Sequence, residues 1–181
     1  MLEFLDCICS GFVEPEVHIV ERYMQLVRKC FTMTNIVLGG GKEIDLLAFD
    51  PMTKEKFHIE VRIATGRGFR LRLIDTQTKK GHKHRRGLDT LNEIKFAHPT
   101  VVNAVKEIFC SSEYKKVLVV WDVEDSKVIG QAKNIYNIKV WKISNIINEL
   151  MREVKSRAYR DDVLRTIQLI SKDYPLSQPS P

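Results

Sequence analysis

Residues 39–66, GGGKEIDLLAFDPMTKEKFHIEVRIATG, hold two acid-bearing apolar segments separated by a turn at Asp50-Pro51. Isoleucine, leucine, valine and phenylalanine fill both segments, and glycines and the Asp-Pro pair bound them. This is the pattern of adjacent β-strands. Few strands in a buried sheet carry as many ionisable side chains as these two, so the charged positions need a chemical explanation.

Alternation of side chains along each strand predicts which of these residues share a face. The first strand is predicted to have one face with Glu43, Asp45, Leu47 and Phe49, and another with Ile44, Leu46 and Ala48. The second is predicted to place Phe57, Ile59 and Val61 opposite His58, Glu60 and Arg62. If the hairpin aligns the acidic faces, Asp45 and Glu60 converge, with Arg62 about 6.5–7 Å farther along the strand.

Two converging carboxylates are hard oxygen ligands, which suit Mg²⁺ or Mn²⁺ together with waters and phosphate oxygens. Such an ion could activate water and neutralise charge that develops on phosphorus. The alternative is that Asp45 and Glu60 face solvent and pair with Arg62 or Lys42, as most strand charges do. Periodicity alone leaves both interpretations open.

The segments outside the hairpin predict a mixed α/β order. Residues 14–31 place apolar side chains on one helical stripe that runs from Val17 to Phe31, and Pro15 suits the first turn. Residues 34–38, TNIVL, predict a strand before the hairpin. Residues 87–110 predict two helical pieces broken at His98-Pro99, because a residue before proline avoids the α region.

The second half of the chain continues this alternation. Residues 115–123, KKVLVVWDV, predict a strand buried on both faces, and 138–143, IKVWKI, predict another. A short irregular or helical crossover joins them. A helix capped by Ser144 is predicted through about Val154, and a last helix over 158–170.

Together these elements predict one α/β domain over residues 1–174, with a mixed central β-sheet flanked by helices on both faces. A helical extension is predicted from about residue 156, and the Pro/Ser-rich residues 175–181 form a frayed tail. Hydrophobic residues make up 44% of the 181 and charged residues 29%, and no apolar run is long enough for a membrane helix. Because the N-terminus lacks a secretory signal, we expect a soluble, cytoplasmic protein without a membrane partner.

The four cysteines have no repeated Cys-x-x-Cys spacing, so we expect reduced thiols buried in the core. Cys7 and Cys9 could contribute to a metal site only with two further ligands.

Positive charge is concentrated in one segment of the chain. The net charge is +6, yet residues 62–86 hold nine Lys or Arg against one acid, Asp75, and the rest of the chain holds 20 bases and 22 acids. Such a concentration predicts a phosphate-backbone partner, on a partly mobile loop with a short strand near residues 69–74. The candidate nucleic-acid contacts are Arg67, Arg70, Arg72, Lys79, Lys80, His82, Lys83, His84, Arg85 and Arg86.

Residues 16–66 resemble the core of the PD-(D/E)xK, restriction-endonuclease-like nucleases, most closely the archaeal Holliday-junction resolvases. That family has a helix with an acid, an Asp on a strand, and Glu-x-Lys on the next strand. The resemblance implies that Glu21 matches the helix acid and that Asp45 and Glu60 match the metal ligands. It extends over about residues 10–155, and it implies an Mg²⁺- or Mn²⁺-dependent endonuclease acting on DNA, for which a homodimer would be suitable.

One position departs from the family pattern, because Arg62 stands where the family has lysine. A guanidinium does not lose its proton in practice, so Arg62 cannot act as a general base, although it could stabilise a phosphate oxygen. Lys42, Lys54, Lys56 and His58 are nearby alternatives for orienting water. Two hypotheses follow, an active nuclease and a nucleic-acid-binding protein on the same fold that has lost catalysis.

Overall fold

Nine strands run through the computed structural model, which describes residues 14–63, 70–74, 76–77, 83–84, 87–156 and 159–173. In chain order they are β1 (Phe31–Leu38), β2 (Lys42–Phe49), β3 (Lys56–Arg62), β4 (Arg70–Leu71), β5 (Thr76–Gln77), β6 (Lys83–His84), β7 (Lys115–Val120), β8 (Asp122–Val123) and β9 (Ile138–Lys142). The helices are α1 (Pro15–Leu26), α2 (Leu88–Leu91), α3 (Pro99–Phe109), α4 (Ser126–Tyr136), α5 (Ile143–Glu153) and α6 (Asp162–Asp173).

The central sheet has five strands in the order β1-β2-β3-β7-β9. The first three form an antiparallel meander, whereas β3, β7 and β9 run parallel. Parallel neighbours need crossover connections, and the helices between these strands supply them. The predicted mixed α/β fold is confirmed.

Helices cover both faces of this sheet. On one face, which we call the α1 face, helices α1, α5 and α6 pack with Ile59 and Val119. On the other, the α3 face, Leu118 packs beside Phe96, while α3 packs against β2. The strand β7 contributes to both clusters, so its continuous apolar sequence reflects burial on both sides, as predicted.

The structure confirms one predicted boundary and corrects others, among them the end of the first helix and the start of α5. The helical break at His98-Pro99 is confirmed, because α3 begins at Pro99. The helix α1 ends at Leu26 rather than continuing to Phe31, since Lys29 adopts a left-handed φ of 57° that turns the chain into β1. Ser144 does not cap α5, which begins one residue earlier after Lys142.

The crossover before β9 is a regular helix, α4, rather than an irregular segment. The carboxylate of Asp125 accepts a hydrogen bond from the backbone N–H of Lys127, which satisfies one of the free donors at the helix start. Asn137 ends the helix in a left-handed conformation.

Cys30 is buried and Cys110 is exposed at the end of α3, so the expectation of core thiols holds for one of the two described cysteines. Cys7 and Cys9 lie outside the described residues, as do all of residues 1–13. Among the helices that the structure describes, none has the length and apolar character needed to cross a membrane.

The C-terminal helix α6 is part of the core of the α1 face. Its Leu164 and Ile167 join the main apolar cluster. Asp161, just before the helix, accepts hydrogen bonds from the N–H of Leu164 and from Arg22 of α1, and it lies 3.2 Å from His18. The segment predicted as an extension therefore completes one layer of the domain.

Asp161→Ala is expected to lower the free energy of unfolding by about 1–2 kcal/mol, because it removes a helix cap and a half-buried ion pair. Burial opposes ionisation of Asp161, but Leu164, His18 and Arg22 outweigh it and lower its pKa below the ordinary 3.8. A lowered pKa means that the stabilisation is complete at neutral pH and is lost as the pH falls below that value.

Urea unfolding of wild type and variant at pH 7 and near pH 3 would measure this effect. Asp162→Ala, which removes the exposed neighbouring acid, is the control. An Asp161→Ala loss no larger than that of the control would contradict the structural role.

Candidate functional site

The candidate site lies where β2 separates from β3. Pairing between the two strands ends at Leu46 and Ile59. One residue earlier, Oδ2 of Asp45 accepts a hydrogen bond of 2.8 Å from the backbone N–H of Val61. The carboxylate thus takes the place of a strand carbonyl, and this bond fixes it against β3 even though Asp45 is 8% exposed.

The strands are distorted at this point, so the predicted simple alternation along β2 is wrong. Ile44 and Leu47 both pack on the α3 face, whereas Leu46 packs on the α1 face. On β1, Asn35 is absent from the pairing between Thr34–Leu46 and Ile36–Ile44, and its φ is 51°. The distortion of both strands directs the Asp45 side chain toward β3.

Glu60 lies on the α3 face of β3 and is fully buried. His58, two residues earlier on the same face and also fully buried, places Nε2 at 2.9 Å from Glu60 Oε1. The imidazole ring packs 4.9 Å from the ring of Phe96 and 6.2 Å from that of Tyr114, measured between centroids. These rings enclose the His58–Glu60 pair in an apolar environment.

Lys95 brings the two carboxylates together, and it comes from a different element. Its Nζ lies 3.2 Å from Asp45 Oδ1 and 2.9 Å from Glu60 Oε2. The Nζ also lies 3.4 Å from the backbone oxygen and 3.5 Å from Oε1 of Glu43. The contact with Asp45 is a hydrogen bond, and that with Glu60 is a close ion pair.

A single π-helical turn, Asn92–Phe96, carries Lys95. The N–H of Ala97 donates to the carbonyl of Asn92 over 2.7 Å, the wider spacing typical of such turns. Lys95 and Phe96 are both buried as a result, one toward the carboxylates and one toward His58. Predicted helical periodicity did not distinguish Lys95 from other lysines.

Burial dominates the electrostatics of the site. It raises the pKa of Glu60 well above 4.5, a shift that Asp45 increases and Lys95 opposes. Burial also lowers the pKa of His58 to about 3, so this imidazole is neutral at pH 7. For Lys95, burial alone would lower the pKa, but Glu60 and Asp45 outweigh it and raise the value, so the ammonium stays charged.

Arg62 lies one pleat beyond Glu60, half-buried, with its Nε buried and without a hydrogen-bond partner among the described residues. Its charge lowers the pKa of Glu60 in the same direction as Lys95 does. The expected proximity of Asp45, Glu60 and Arg62 therefore agrees with the structure, which adds Lys95 to them.

Glu21 is placed differently from the expectation. It contacts His18 at 3.2 Å and accepts hydrogen bonds from Gln25 and Thr32, and the described residues give it no contact with Asp45 or Glu60. Glu14 at the start of α1 is the helix acid near the site. Partial burial raises its pKa first, the charge of Glu16 next, and the charges of Asp45 and Glu43 raise the pKa further while Arg62 opposes them.

Asp45 and Glu60 are the carboxylates of this site that could contact a cation. Asp45 Oδ1 and Glu60 Oε2 both lie within 3.2 Å of the Lys95 nitrogen, so a single cationic centre already contacts both oxygens. Mg²⁺ uses one or two carboxylates in such sites, with substrate phosphate as a further ligand. Within the described ranges, no group of three or more His, Cys, Asp or Glu side chains is arranged to hold an ion.

The basic segment is only partly described. Arg70 lies 3.7 Å from Asp122, and Arg72 lies 3.3 Å from Glu124, so both predicted phosphate contacts pair with acids near β8. The short strand predicted near residues 69–74 is the two-residue β4, and β5 pairs with β6. Of Lys83 and His84 only the backbone is described, and Arg67, Lys79, Lys80, His82, Arg85 and Arg86 lie outside the described residues.

Comparison with known proteins yields little. No family model matches the chain, and no curated protein matches it. A solved structure described as the crystal structure of a protein of unknown function, AF1548, is similar over 88% of this chain and 90% of that chain. The sequence identity is 15% and the TM-score is 0.45.

His58→Gln is expected to reduce the rise of stability with pH between about 3 and 6.5. In that range an unfolded histidine binds a proton while the buried His58 does not, so folding becomes less favourable as the pH falls. Glutamine removes the titration but retains a side-chain donor for Glu60.

Chemical denaturation at pH 4.5 and pH 7 would give the difference between wild type and variant. His98→Gln, at the half-buried start of α3, is the matched control. Equal pH dependence in wild type and His58→Gln would show that His58 is not held neutral in the fold.

Proposed function

We propose that this protein is a metal-dependent nuclease that hydrolyses DNA phosphodiesters, with Asp45 and Glu60 as metal ligands. The observation that carries the proposal is the position of Lys95, whose Nζ contacts both carboxylates. The resemblance to the PD-(D/E)xK nucleases calls for an Asp, a Glu and a lysine at one place. In sequence, Arg62 stands at the position where that family has its lysine. Lys95, which comes from a separate helical turn, supplies a lysine at the site.

Each residue has a distinct part in this proposal. A bound Mg²⁺ or Mn²⁺ would supply a nucleophilic water and neutralise charge on the phosphate. Asp45 is fixed by the Val61 N–H and Glu60 by His58, so both ligands are held in place before substrate arrives. Lys95 stays protonated, and it therefore acts as an electrostatic stabiliser of the transition state rather than as a base.

Arg62 supports binding of a phosphate group beside the carboxylates. Its buried Nε has no partner among the described residues, and a guanidinium binds phosphate through directed, charge-assisted hydrogen bonds. Residues 62–86 follow directly in sequence, and they supply the positive charge expected of a protein that binds nucleic acid.

The alternative is a nucleic-acid-binding protein without catalysis. The contact of Lys95 Nζ with both carboxylates also favours this alternative, because an ammonium that already neutralises Asp45 and Glu60 can form purely structural ion pairs with them. Calorimetric titration with Mn²⁺ separates the two functions, since only the nuclease requires a cation bound at these carboxylates.

Lys95→Met is expected to lower the cleavage rate by about 10²–10³-fold, the usual effect of removing one charge-stabilising group. Asp45→Asn should abolish cleavage and Mn²⁺ binding while DNA affinity stays near the wild-type value. Lys106→Met, at an exposed position of α3, is the matched control and should leave the rate unchanged.

Nicking of linear and branched DNA with Mn²⁺ or Mg²⁺, with and without EDTA, gives the rates. Wild-type protein that binds Mn²⁺ at neither carboxylate and cleaves no DNA would contradict the nuclease proposal. Full activity in Lys95→Met would instead show that Lys95 has only a structural role.

Alanine at Lys79, Lys80, Lys83, Arg85 and Arg86 is expected to weaken DNA binding without regard to sequence. Each lost phosphate contact reduces the slope of log K against log salt by about 0.9 for duplex DNA. Fluorescence anisotropy across a salt series would measure both affinity and slope. Alanine at five exposed lysines elsewhere is the control, namely Lys106, Lys127, Lys133, Lys139 and Lys155. Equal slopes in the two variants would exclude this segment as the DNA contact.

A further inference from the structure

A tryptophan is exposed where β7 ends. Trp121 is 55% exposed, and it follows Val120, the last residue of the strand. The other tryptophan of the chain, Trp141, is half-buried and packs edge-on against Tyr23, with 6.0 Å between the ring centroids. Single exposed apolar side chains are common, so the surroundings of Trp121 decide what its exposure means.

A cavity of about 380 Å³ lies beside the Trp121 ring. Ile143 and Ile147, at the start of α5, line it and also pack in the apolar cluster of the α1 face. Asp122, Lys142 and Asn148 are among its polar lining residues. One aromatic wall, aliphatic side chains and a few polar groups form the usual composition of a pocket for a small ligand.

The charges at this cavity favour an anionic partner. Nζ of Lys142 donates a hydrogen bond of 2.7 Å to Oδ1 of Asp122, and Nε of Arg70 lies 3.7 Å from Oδ2 of the same carboxylate. Two cations therefore accompany one acid, which leaves a net positive charge. A partner that carries negative charge and flat aromatic rings matches both the charge and the indole, and nucleic acid has this chemistry.

The cavity lies beside the candidate site along one end of the sheet. Val120 pairs with Arg62 on one side and with Lys142 on the other. These positions are the carboxyl ends of the parallel strands β3, β7 and β9. Open α/β sheets characteristically bind their ligands outside such strand ends.

The path between the two places suits a single strand. Glu60 pairs with Leu118, three residues before Trp121, so the α-carbons of Glu60 and Trp121 are about 11 Å apart by the usual strand dimensions. Glu60 lies on the α3 face, whereas the cavity lies beside α5 on the α1 face. Nucleotides that run from one to the other pass the end of β3 at Arg62, a turn that a stiff duplex does not make easily.

We propose that this cavity binds an unpaired nucleobase of single-stranded DNA, stacked on the indole ring of Trp121. The proposal rests on the DNA binding of the proposed function. Both faces of a base inside a duplex are covered by its neighbours, so an unpaired base is the one that can stack on a side chain. The amide of Asn148 offers a donor and an acceptor to the edge of such a base. The substrate is then DNA that is single-stranded beside the bond that is cleaved.

A protein partner fits this surface less well. Stable protein interfaces bury about 800 Å² on each partner around several apolar side chains. Among the described residues that line the cavity, Trp121 is the only large apolar one that is exposed, since Ile143 is buried and Ile147 is half-buried. One exposed ring beside a small cavity matches a single stacked base.

Tryptophan fluorescence measures the stacking directly, because the chain has two tryptophans. Trp141→Phe keeps an aromatic ring against Tyr23 and leaves Trp121 as the single emitting residue. We expect single-stranded oligothymidylate to quench this emission and a duplex of the same length to leave it nearly unchanged. If Trp141→Phe does not fold, the difference in emission between wild type and Trp121→Phe gives the same measurement.

Trp121→Leu should weaken oligothymidylate binding about 5–150-fold, the effect of losing one stacked base, while duplex affinity stays at the wild-type value. The slope of log K against log salt should not change, because no phosphate contact is removed. Trp121→Phe should retain most of the affinity. Met52→Ala is the control, since Met52 is 86% exposed in the β2–β3 turn, at the opposite end of β3.

Oligothymidylate affinity that is unchanged in Trp121→Leu would overturn the proposal, as would emission that single strands and duplexes quench equally. Emission that falls with protein concentration in the absence of DNA would show that a second copy covers Trp121, which also overturns it. In these cases anisotropy of labelled DNA still shows binding. A wild-type protein that binds neither form of DNA would instead contradict the proposed function, and this proposal with it.

Discussion

One ammonium group holds two buried carboxylates together at the junction of β2 and β3. Asp45 and Glu60 would repel each other in this low-dielectric environment, and Lys95 lies within 3.2 Å of both. Removal of one member of such a group is costly, because the remaining charges stay buried without compensation. The distortion of β1 and β2, the π-helical turn and the position of His58 can all be understood as the framework that this arrangement needs.

The site works against the stability of the fold around it. Burial makes ionisation of Glu60 unfavourable, an effect that Lys95 opposes, and burial also keeps the imidazole of His58 neutral. Replacing buried charged groups with apolar ones is often neutral or stabilising. The strand β7, apolar on both faces, offsets this local disadvantage because it packs in both core layers. Buried ionisable groups that lower the stability of the fold in this way are typical of functional sites.

Local sequence patterns predicted most of the fold. The hairpin around Asp50-Pro51, the buried β7 and the break at Pro99 each follow from a few neighbouring residues. The site was only half predictable. The charged positions on two neighbouring strands indicated Asp45 and Glu60, although a distortion of β2 rather than simple alternation turns Asp45 toward β3, and Lys95 lies 35 residues after Glu60 on a separate helix. Only tertiary packing selects this lysine. The reversal of faces at Asp45 was likewise hidden, because it depends on the left-handed backbone of Asn35 in the neighbouring strand.

The ion pair between the first and last helices affects how the chain folds during its synthesis. Arg22 and its partner Asp161 are separated by 139 residues. Ribosomes add about 5–20 residues per second, so about 7–28 s pass between the appearance of the two partners. Until α5 and then α6 have been synthesised, the apolar stripe of α1 lacks these covering helices, although the β1–β3 meander can already form. The nascent chain therefore exposes a partly built core for most of its synthesis, and it is in this period that chaperone binding or misassociation would compete with folding.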